Sequence, residues 1–399
     1  MSRGRNSARR RLGNISSLGV AAALVTLVAA CGGGPSSSQG DSGKGPIKIG
    51  VLASLSGARP LIGKVEQVAA QDAAEDINKA GGVNGRKIEI LVQDDAFTTN
   101  AALTGAKRLI QDGVVAITGM ASSNFQAAVQ PVAARNKVVV MGSVGTGTTL
   151  TTDQPFGFRT SANNDLIGEQ LDKMMAGYGV KRVAIVHDTS DYGQTLADAV
   201  AKHLEGTSVA LATNQTFSPG ATDLTPQILA VRKSNADAIV PLPVSGADLA
   251  LVIKTMGNAG INIPIYGHNG LFDPDALKLA SGFYSAAPRV CGVTAFDPDK
   301  PANKKLYSRI KGQINADPGN ENAYQTYDAV QILAQALKKT DGEGGLALAH
   351  AIEGISHYSG GHNSGNAYYS FSPTKHTGPT GDFMARQCWE NGKFVPANS

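Results

Sequence analysis

Hydroxyl side chains gather at two points of this 399-residue chain where the pattern turns from strand to helix. In "GMASSNFQAAV", Ser122 and Ser123 follow a short β-rich run and open a helical pattern. Unpaired backbone N–H groups and the positive end of the helix dipole meet there, and serine hydroxyls add donors, so the pair suits an anion. Serine is also a common N-cap. In "MGSVGTGTTLT", Gly142, Gly145 and Gly147 allow close backbone approach, and Thr146, Thr148 and Thr149 carry hydroxyls. A third stretch, "HDTSDYGQ", brings Tyr192, whose ring offers an apolar face and a polar tip. This chemistry holds a molecule; it does not transform one. No Gly-Lys-Ser/Thr or G-x-G-x-x-G phosphate cradle is present, and no G-x-S-x-G, H-E-x-x-H or C-x-x-C motif occurs. His187 and Asp188 are adjacent, so in a strand they point to opposite faces and make no dyad. His357, His362 and His376 fall in a glycine-rich tail and read as surface residues.

A different chemistry stands near the start. Arg3, Arg5, Arg9, Arg10 and Arg11 precede the apolar run "LGVAAALVTLVAA", which ends at Cys31. A basic region followed by a short apolar one is a secretory leader, and the run is too short for a comfortable membrane span. "VAAC" resembles the bacterial lipobox, whose cysteine is acylated. Residues 32–46, rich in glycine, serine and proline, would then be a flexible tether. The formal net charge is +4. Loss of residues 1–30, with five arginines and no acid, takes it to −1, which removes the main support for a nucleic-acid partner. The other cysteines, Cys291 and Cys388, can form one disulfide in an oxidising compartment or remain buried thiols.

These groups need a scaffold. From residue 47, β-rich runs ("IKIGVLA", "KIEILVQ", "VVAITGM", "KVVVMGS") alternate with longer helical ones. The alternation resumes with "RVAIVHD", "VALATNQ", "ADAIVPLP" and "NIPIYGH". Apolar strands alternating with helices predict parallel sheets covered on both faces. Two such sets predict an α/β chain of two lobes. "FRTSANNDLIGEQ" reads as the passage between them and "PRVCGVTAFDPDKPANK" as the return. The division expected is a leader over 1–30, a tether over 31–46, a first lobe of 47–161 and 291–355, and a second of 162–290 and 356–399. Ligands of such sheets sit beyond the carboxyl ends of the strands, where the hydroxyl clusters fall.

"IKIGVLASLSGARPLIGKVEQVAAQDAAEDINKAGGVNGRKIEILVQDDA" and "RVAIVHDTSDYGQ" resemble the branched-chain amino-acid-binding (Leu/Ile/Val-binding) family, over about residues 47–345. The members are type I periplasmic solute-binding proteins of ABC importers. The resemblance implies two Rossmann-like lobes joined by a hinge of several crossovers, with a solute caught between them. It implies an α-carboxylate on Ser122 with Ser123 beside it. Gly145, Thr146 and Thr148 would hold the carboxylate and amino group, and Tyr192 would close over the ligand. It implies no catalysis, cofactor or metal. The implied partners are ABC permease subunits, reached by a monomer anchored by lipid on the extracytoplasmic face of the membrane. Departures from the pattern are visible. Asn269 in "YGHNG" stands where the amino-acid binders carry an acid for the ligand's ammonium. Leu61–Ile62 stand near a usual pocket aromatic, "VPLPVSG" lacks a tyrosine, and Phe97 and Ala121 occupy the places of a disulfide that some members make. The expected function is capture of an amino acid or related small carboxylate. The alternatives are a ligand sensor on the same fold, or a binder of another solute such as an amide or aromatic acid.

Overall fold

The computed structural model describes residues 45–296, 300–319, 321–362 and 365–397. The leader, Cys31 and nearly all of the tether lie outside the described residues. No helix among the described residues is long and apolar enough to cross a membrane.

The chain first lays down β1 (Ile47–Ala53), α1 (Pro60–Lys79), β2 (Ile88–Asp94), α2 (Thr99–Gln111), β3 (Ala116–Gly119), α3 (Ser123–Arg135), β4 (Val139–Gly142) and β5 (Gly157–Arg159). These strands form one parallel sheet in the order β2-β1-β3-β4-β5. The period of two sorts its side chains. Ile49 and Val51 pack with Ala70, Ala73 and Ile77 of α1, while Leu52 packs with Ala106 and Leu109 of α2 and Phe125 of α3. Both faces are therefore dry, and each fully buried aliphatic side chain contributes about 1.5–3 kcal/mol.

The second set is α4 (Asn164–Gly177), β6 (Arg182–Asp188), α5 (Asp191–Leu204), β7 (Ala210–Phe217), α6 (Thr225–Lys233), β8 (Ala238–Leu242), α7 (Gly246–Asn258), β9 (Ile265–Gly267), α8 (Pro274–Ala286) and β10 (Val290–Thr294). A 3-10 turn covers Asn269–Phe272 between β9 and α8. Val183 and Ile185 face α4 and α5, and Ala184 and Val186 face α7 and α8. Last come α9 (Pro301–Ile314), α10 (Asn322–Lys339), α11 (Gly345–Glu353), β11 (Tyr368–Tyr369), β12 (Pro379–Thr380), β13 (Ala385–Glu390) and β14 (Lys393–Pro396). The second sheet runs β14-β13-β10-β9-β8-β6-β7, parallel except for β13 and β14.

Sheet membership corrects the expected division in two places. Cys291 lies in β10, beside β9, so residues 290–294 belong to the second sheet and the chain returns only after Thr294. The tail divides as well. Tyr369, Phe371 and Phe383 pack into the core of the first sheet with α10 and α11, while 385–396 completes the second sheet. The cause is the β10–β13 ladder, which sets Cys291 opposite Cys388, and these two are joined by a disulfide. His362 and His376 are buried rather than superficial. His376 stacks on Phe158, and its Nδ1 is 2.9 Å from the Gln154 carbonyl, while His362 packs edge-on to Tyr369. Aromatic burial thus organises a tail whose glycines suggested a loose surface. His357 is exposed.

Candidate functional site

The carboxyl ends of both sheets face one narrow cavity of about 30 Å³. One wall is built from the ends of β3 and β4. After β3 the chain turns through Gly119 (φ 88°) and Met120 (φ 71°), a left-handed pair that swings Ala121, Ser122 and Ser123 towards the cavity. Such a conformation is costly at a non-glycine residue and persists only where its surroundings enforce it. A Cβ on Gly119 would lie 2.3 Å from the Leu52 carbonyl oxygen, so the first of the pair must be glycine.

Ser122 is the N-cap of α3, yet its side chain makes no capping bond. At three other helix starts the cap hydroxyl is committed: Thr98 accepts from Ala101 N, Ser190 from Gly193 N and Ser245 from Asp248 N. The Ser122 hydroxyl is 5% exposed as a residue and lines the cavity. Ser123 behaves differently. Its Oγ accepts from Thr146 N at 3.2 Å and Gly147 N at 3.0 Å, pinning the loop after β4 onto the start of α3.

That loop is fastened from below. Arg159 is fully buried and donates from Nη1 to the Gly147 carbonyl (2.6 Å), from Nη2 to the Thr148 carbonyl (3.5 Å) and from Nε to Thr377 Oγ1 (3.0 Å). No carboxylate pairs with it among the described residues. Burial alone pulls its pKa down to about 9. Ser161 Oγ donates to the Gly145 carbonyl at 2.5 Å. A Cβ on Gly145 would meet Gln126 Oε1 at 2.9 Å and one on Gly142 would meet it at 2.1 Å, so the Gln126 side chain lies against both glycines.

The opposite wall comes from β6, β8 and β9. Tyr192 projects from the first turn of α5, and burial pushes its hydroxyl pKa up, with Asp188 adding to the rise. Asp188 accepts from Ser190 Oγ (2.5 Å) and Ser190 N (3.1 Å) on one oxygen and from Val244 N (2.7 Å) on the other. It therefore ties the turn before Tyr192 to Pro243 and Val244, which line the cavity. After β9, His268, Asn269 and Gly270 complete the wall. Asn269 donates from Nδ2 to Asn322 Oδ1 at 3.3 Å. His268 Nε2 is 3.4 Å from Glu321 Oε1, both residues being buried. Glu321 also accepts from Thr294 Oγ1 (3.0 Å) and Ala295 N (2.7 Å). Burial raises the Glu321 pKa, but His268 and these donors outweigh it and hold the carboxyl below its ordinary range.

Two further contacts bridge the walls. Arg59, the residue before α1, pairs through Nη2 with Asp273 Oδ2 at 3.1 Å, and Nη1 donates to the Ala121 carbonyl at 3.4 Å. Asp191 N donates to Asn124 Oδ1 at 2.9 Å. With both in place the walls are drawn together.

Ser122, Ser123, Gly145, Thr146, Tyr192 and Asn269 all line this cavity. Thr148 does not; the loop turns away after Gly147, and the Thr148 carbonyl points to Arg159. Leu61–Ile62 are also displaced from it, because α1 starts at Pro60 and Arg59 stands at the cavity instead. Sequence reasoning missed Arg59 and His268. The second was legible as the neighbour of Asn269 in "YGHNG"; the first had only its place before a helix-opening proline. Phe97 packs edge-on to Phe125 and lies under the Arg59 guanidinium, and Ala121 lines the cavity. Among the described residues, no carboxylate lines the cavity.

Among known proteins, the chain is 27% identical over 299 residues to the leucine-, isoleucine-, valine-, threonine- and alanine-binding protein of Pseudomonas aeruginosa, covering 73% of this chain and 78% of that one. Its fold matches a type 1 periplasmic binding protein from Bordetella pertussis (TM-score 0.79, 24% identity, 88% of this chain and 100% of the other). It also matches a Rhodopseudomonas palustris ABC-transporter solute-binding protein solved with 4-hydroxybenzoate (TM-score 0.77, 19% identity, 89% and 96%). The family model described as periplasmic binding protein matches residues 46–393. This chain is therefore a member of the periplasmic binding protein family, whose members hold solutes and are not enzymes.

Proposed function

We propose that the protein is the lipid-anchored, extracytoplasmic receptor of an ABC importer, acting as a monomer that captures a small carboxylate and presents it to a membrane permease. One observation carries the ligand class. Ser122 keeps its hydroxyl free of capping at a buried helix start that lines the cavity. A carboxylate there accepts from Ser122, from the N–H groups that open α3 and from the Thr146 hydroxyl, with the Ser123 hydroxyl proton also within the site. Tyr192 covers it from the other wall. The P. aeruginosa relative, named for its amino acids, supports the carboxylate half of this reading. The lipid anchor rests on Cys31 alone, and the permease partner on the family.

The two walls carry different sheets joined by crossovers, so closure is a rotation of one about the other. A solute that touches both walls favours the closed form by its differential affinity, and the permease then tells loaded from empty. Arg59–Asp273 and Asn124–Asp191 belong to that closed form.

A second reading concerns the ligand's other half. Asn269 stands in place of an acid and, among the described residues, no carboxylate lines the cavity, which favours a carboxylate without an ammonium. A thermal-shift series tests both. Leucine, isoleucine and valine are compared with their deaminated acids and with small amides. A ligand at about 1,000 times its Kd stabilises by about 4 kcal/mol. A response to amides alone would remove the carboxylate reading.

A further inference from the structure

The cavity is small, and its walls are held where they stand. Its volume is about 30 Å³, and one water molecule needs about 10–15 Å³ by the same measure, so about two or three water-sized groups fill it. Each side is braced from behind. Ser161 holds the Gly145 carbonyl (2.5 Å), and Ser123 holds Thr146 N (3.2 Å). Asp188 holds Val244 N (2.7 Å), and Asn322 holds the Asn269 amide (3.3 Å). The rings of Tyr192 and His268 stand 6.5 Å apart, centre to centre. The remaining side is Arg59. Its side chain is 11% exposed, lies over the Phe97 ring, and is tied at both Nη atoms, to Asp273 (3.1 Å) and to the Ala121 carbonyl (3.4 Å). Ala121 is the residue before Ser122, so the guanidinium stands within one hydrogen bond of the turn that opens α3.

We infer that Arg59 sets the size of the solute: its side chain closes the cavity just past the carboxylate, so that this receptor takes acids of about two to four carbons and excludes branched acids the size of leucine. The inference rests on the carboxylate reading above. It does not depend on whether the acid carries an ammonium, because only length is at issue. A carboxylate and one or two further groups use the space there is. A branched tail must push out a wall, and each wall gives only by breaking one of the bonds named. Arg59 is the hardest to displace, since moving it leaves the buried Asp273 carboxylate without its cation. A tail that reached Arg59 would also gain nothing from it. An alkyl group takes water from the guanidinium and returns no hydrogen bond. Shortening Arg59 removes a long side chain from the wall and touches none of the bonds that brace the other sides, so room opens beside Ser122.

The test is calorimetric titration of the purified protein with a series of paired acids, each pair sharing one head group. The pairs are alanine and leucine, propanoate and the deaminated acid of leucine, and lactate and the 2-hydroxy acid of leucine. In each pair that binds, the short acid should bind about tenfold or more tighter than the long one. Arg59→Ala should reverse that order by about tenfold, with the long acid binding more tightly than it does to the natural protein, a gain that misfolding cannot mimic. Arg59→Met loses the charge but keeps the length, so it should weaken binding and still prefer the short acid. Arg59→Val is read in place of Arg59→Ala if the latter does not fold. Equal affinities within a pair, or a long acid that binds the natural protein more tightly, overturn the inference and leave the carboxylate reading standing. An unchanged preference for the short acid in Arg59→Ala overturns it too. No binding by any pair removes the carboxylate reading and this inference with it. Ser122→Ala separates the two again, because it should weaken both members of a pair and leave their ratio alone.

Discussion

Ser122 and Ser123 are neighbours with the same side chain, and their bonding predicts opposite consequences for the same substitution. Ser122 Oγ has no partner in the cap, so Ser122→Ala removes nothing that holds the fold; stability should change by no more than about 0.5 kcal/mol. What it removes is a hydroxyl facing a bound carboxylate. A hydrogen bond to a charged group contributes about 1.5–3 kcal/mol, so Kd should rise by about 10- to 150-fold. Ser123→Ala leaves two buried donors, Thr146 N and Gly147 N, without their acceptor. Each unsatisfied donor costs about 1–3 kcal/mol, and partial relaxation of the loop recovers some. The expected loss is about 2–4 kcal/mol of stability, a Tm drop of roughly 4–10 °C. Binding also weakens, because the loop that carries Gly145 and Thr146 is no longer held. Differential scanning fluorimetry and isothermal titration on both variants, with the tightest acid from the series above, separate the outcomes. Equal Tm losses for the two variants, or an unchanged Kd for Ser122→Ala, would refute the division of labour drawn from these bonds.

Three further perturbations act on other parts of the molecule. Arg59→Met removes the cross-wall pair with Asp273 but leaves Asp273 capping α8 through Asp275 N (2.9 Å); the closed form should become rarer, seen as a larger radius of gyration by small-angle scattering and a Kd raised by about tenfold. Unchanged scattering and affinity would mean that the pair does not hold the walls together. Burial pushes the Asp328 carboxyl up to about 7, against the N–H of Gly361 and the Tyr369 hydroxyl, which lower it. The folded state then binds this proton more tightly than the unfolded chain, where the pKa is about 3.9. The resulting stability is full below about pH 4 and lost as pH rises through 7. Asp328→Asn should therefore gain on the natural protein by a few kcal/mol between pH 5 and pH 8 in urea melts, and an equal difference at both pH values would contradict the assignment. Cys31→Ser should move the protein from the membrane to the soluble fraction after cell lysis; retention on the membrane would exclude the lipid anchor.

Strand and helix placement was legible because each strand is short, apolar and bounded by turn residues. The cluster at Ser122 and the loop at Gly145–Thr146 were legible for the same reason: they follow strands whose ends a parallel sheet must gather. What the sequence hid was non-local. β10 looked like a return segment because nothing in "VCGVT" tells which sheet it joins; the choice is made by pairing with β13, 97 residues away at the cysteines. Arg159 gave no signal, since an arginine between lobes reads as surface until Thr377 and two loop carbonyls are seen around it. Thr148 failed because one register step past Gly147 turns a side chain out of the cavity, and register within a glycine-rich loop is not encoded by period.

The charges around the cavity are layered, and the layering bears on how closure responds to the solute. Arg59 and His268 face inward, and the carboxylates they meet, Asp273 and Glu321, stand one layer behind. Neither pair lies within a single wall. Arg59 opens α1 of the first sheet and Asp273 caps α8 of the second. His268 ends β9 of the second sheet, while Glu321 starts α10, whose Ala329, Val330 and Leu333 pack into the core of the first. Each contact is thus a link between the two sheets that shares a member with the cavity. An anion that draws on Arg59 or His268 acts on a group already engaged in holding the walls together, at distances of 3.1 and 3.4 Å. Opening would separate Arg59 from Asp273 while leaving Ser122, Gly145 and Thr146 in place, since those three belong to one wall; Glu321 is held to the end of β10 by Thr294 and Ala295. Affinity in Arg59→Met should accordingly fall through a faster off-rate, with the on-rate little changed, and stopped-flow fluorescence resolves the two; a slower on-rate alone would place the role of Arg59 in steering the solute rather than in closure.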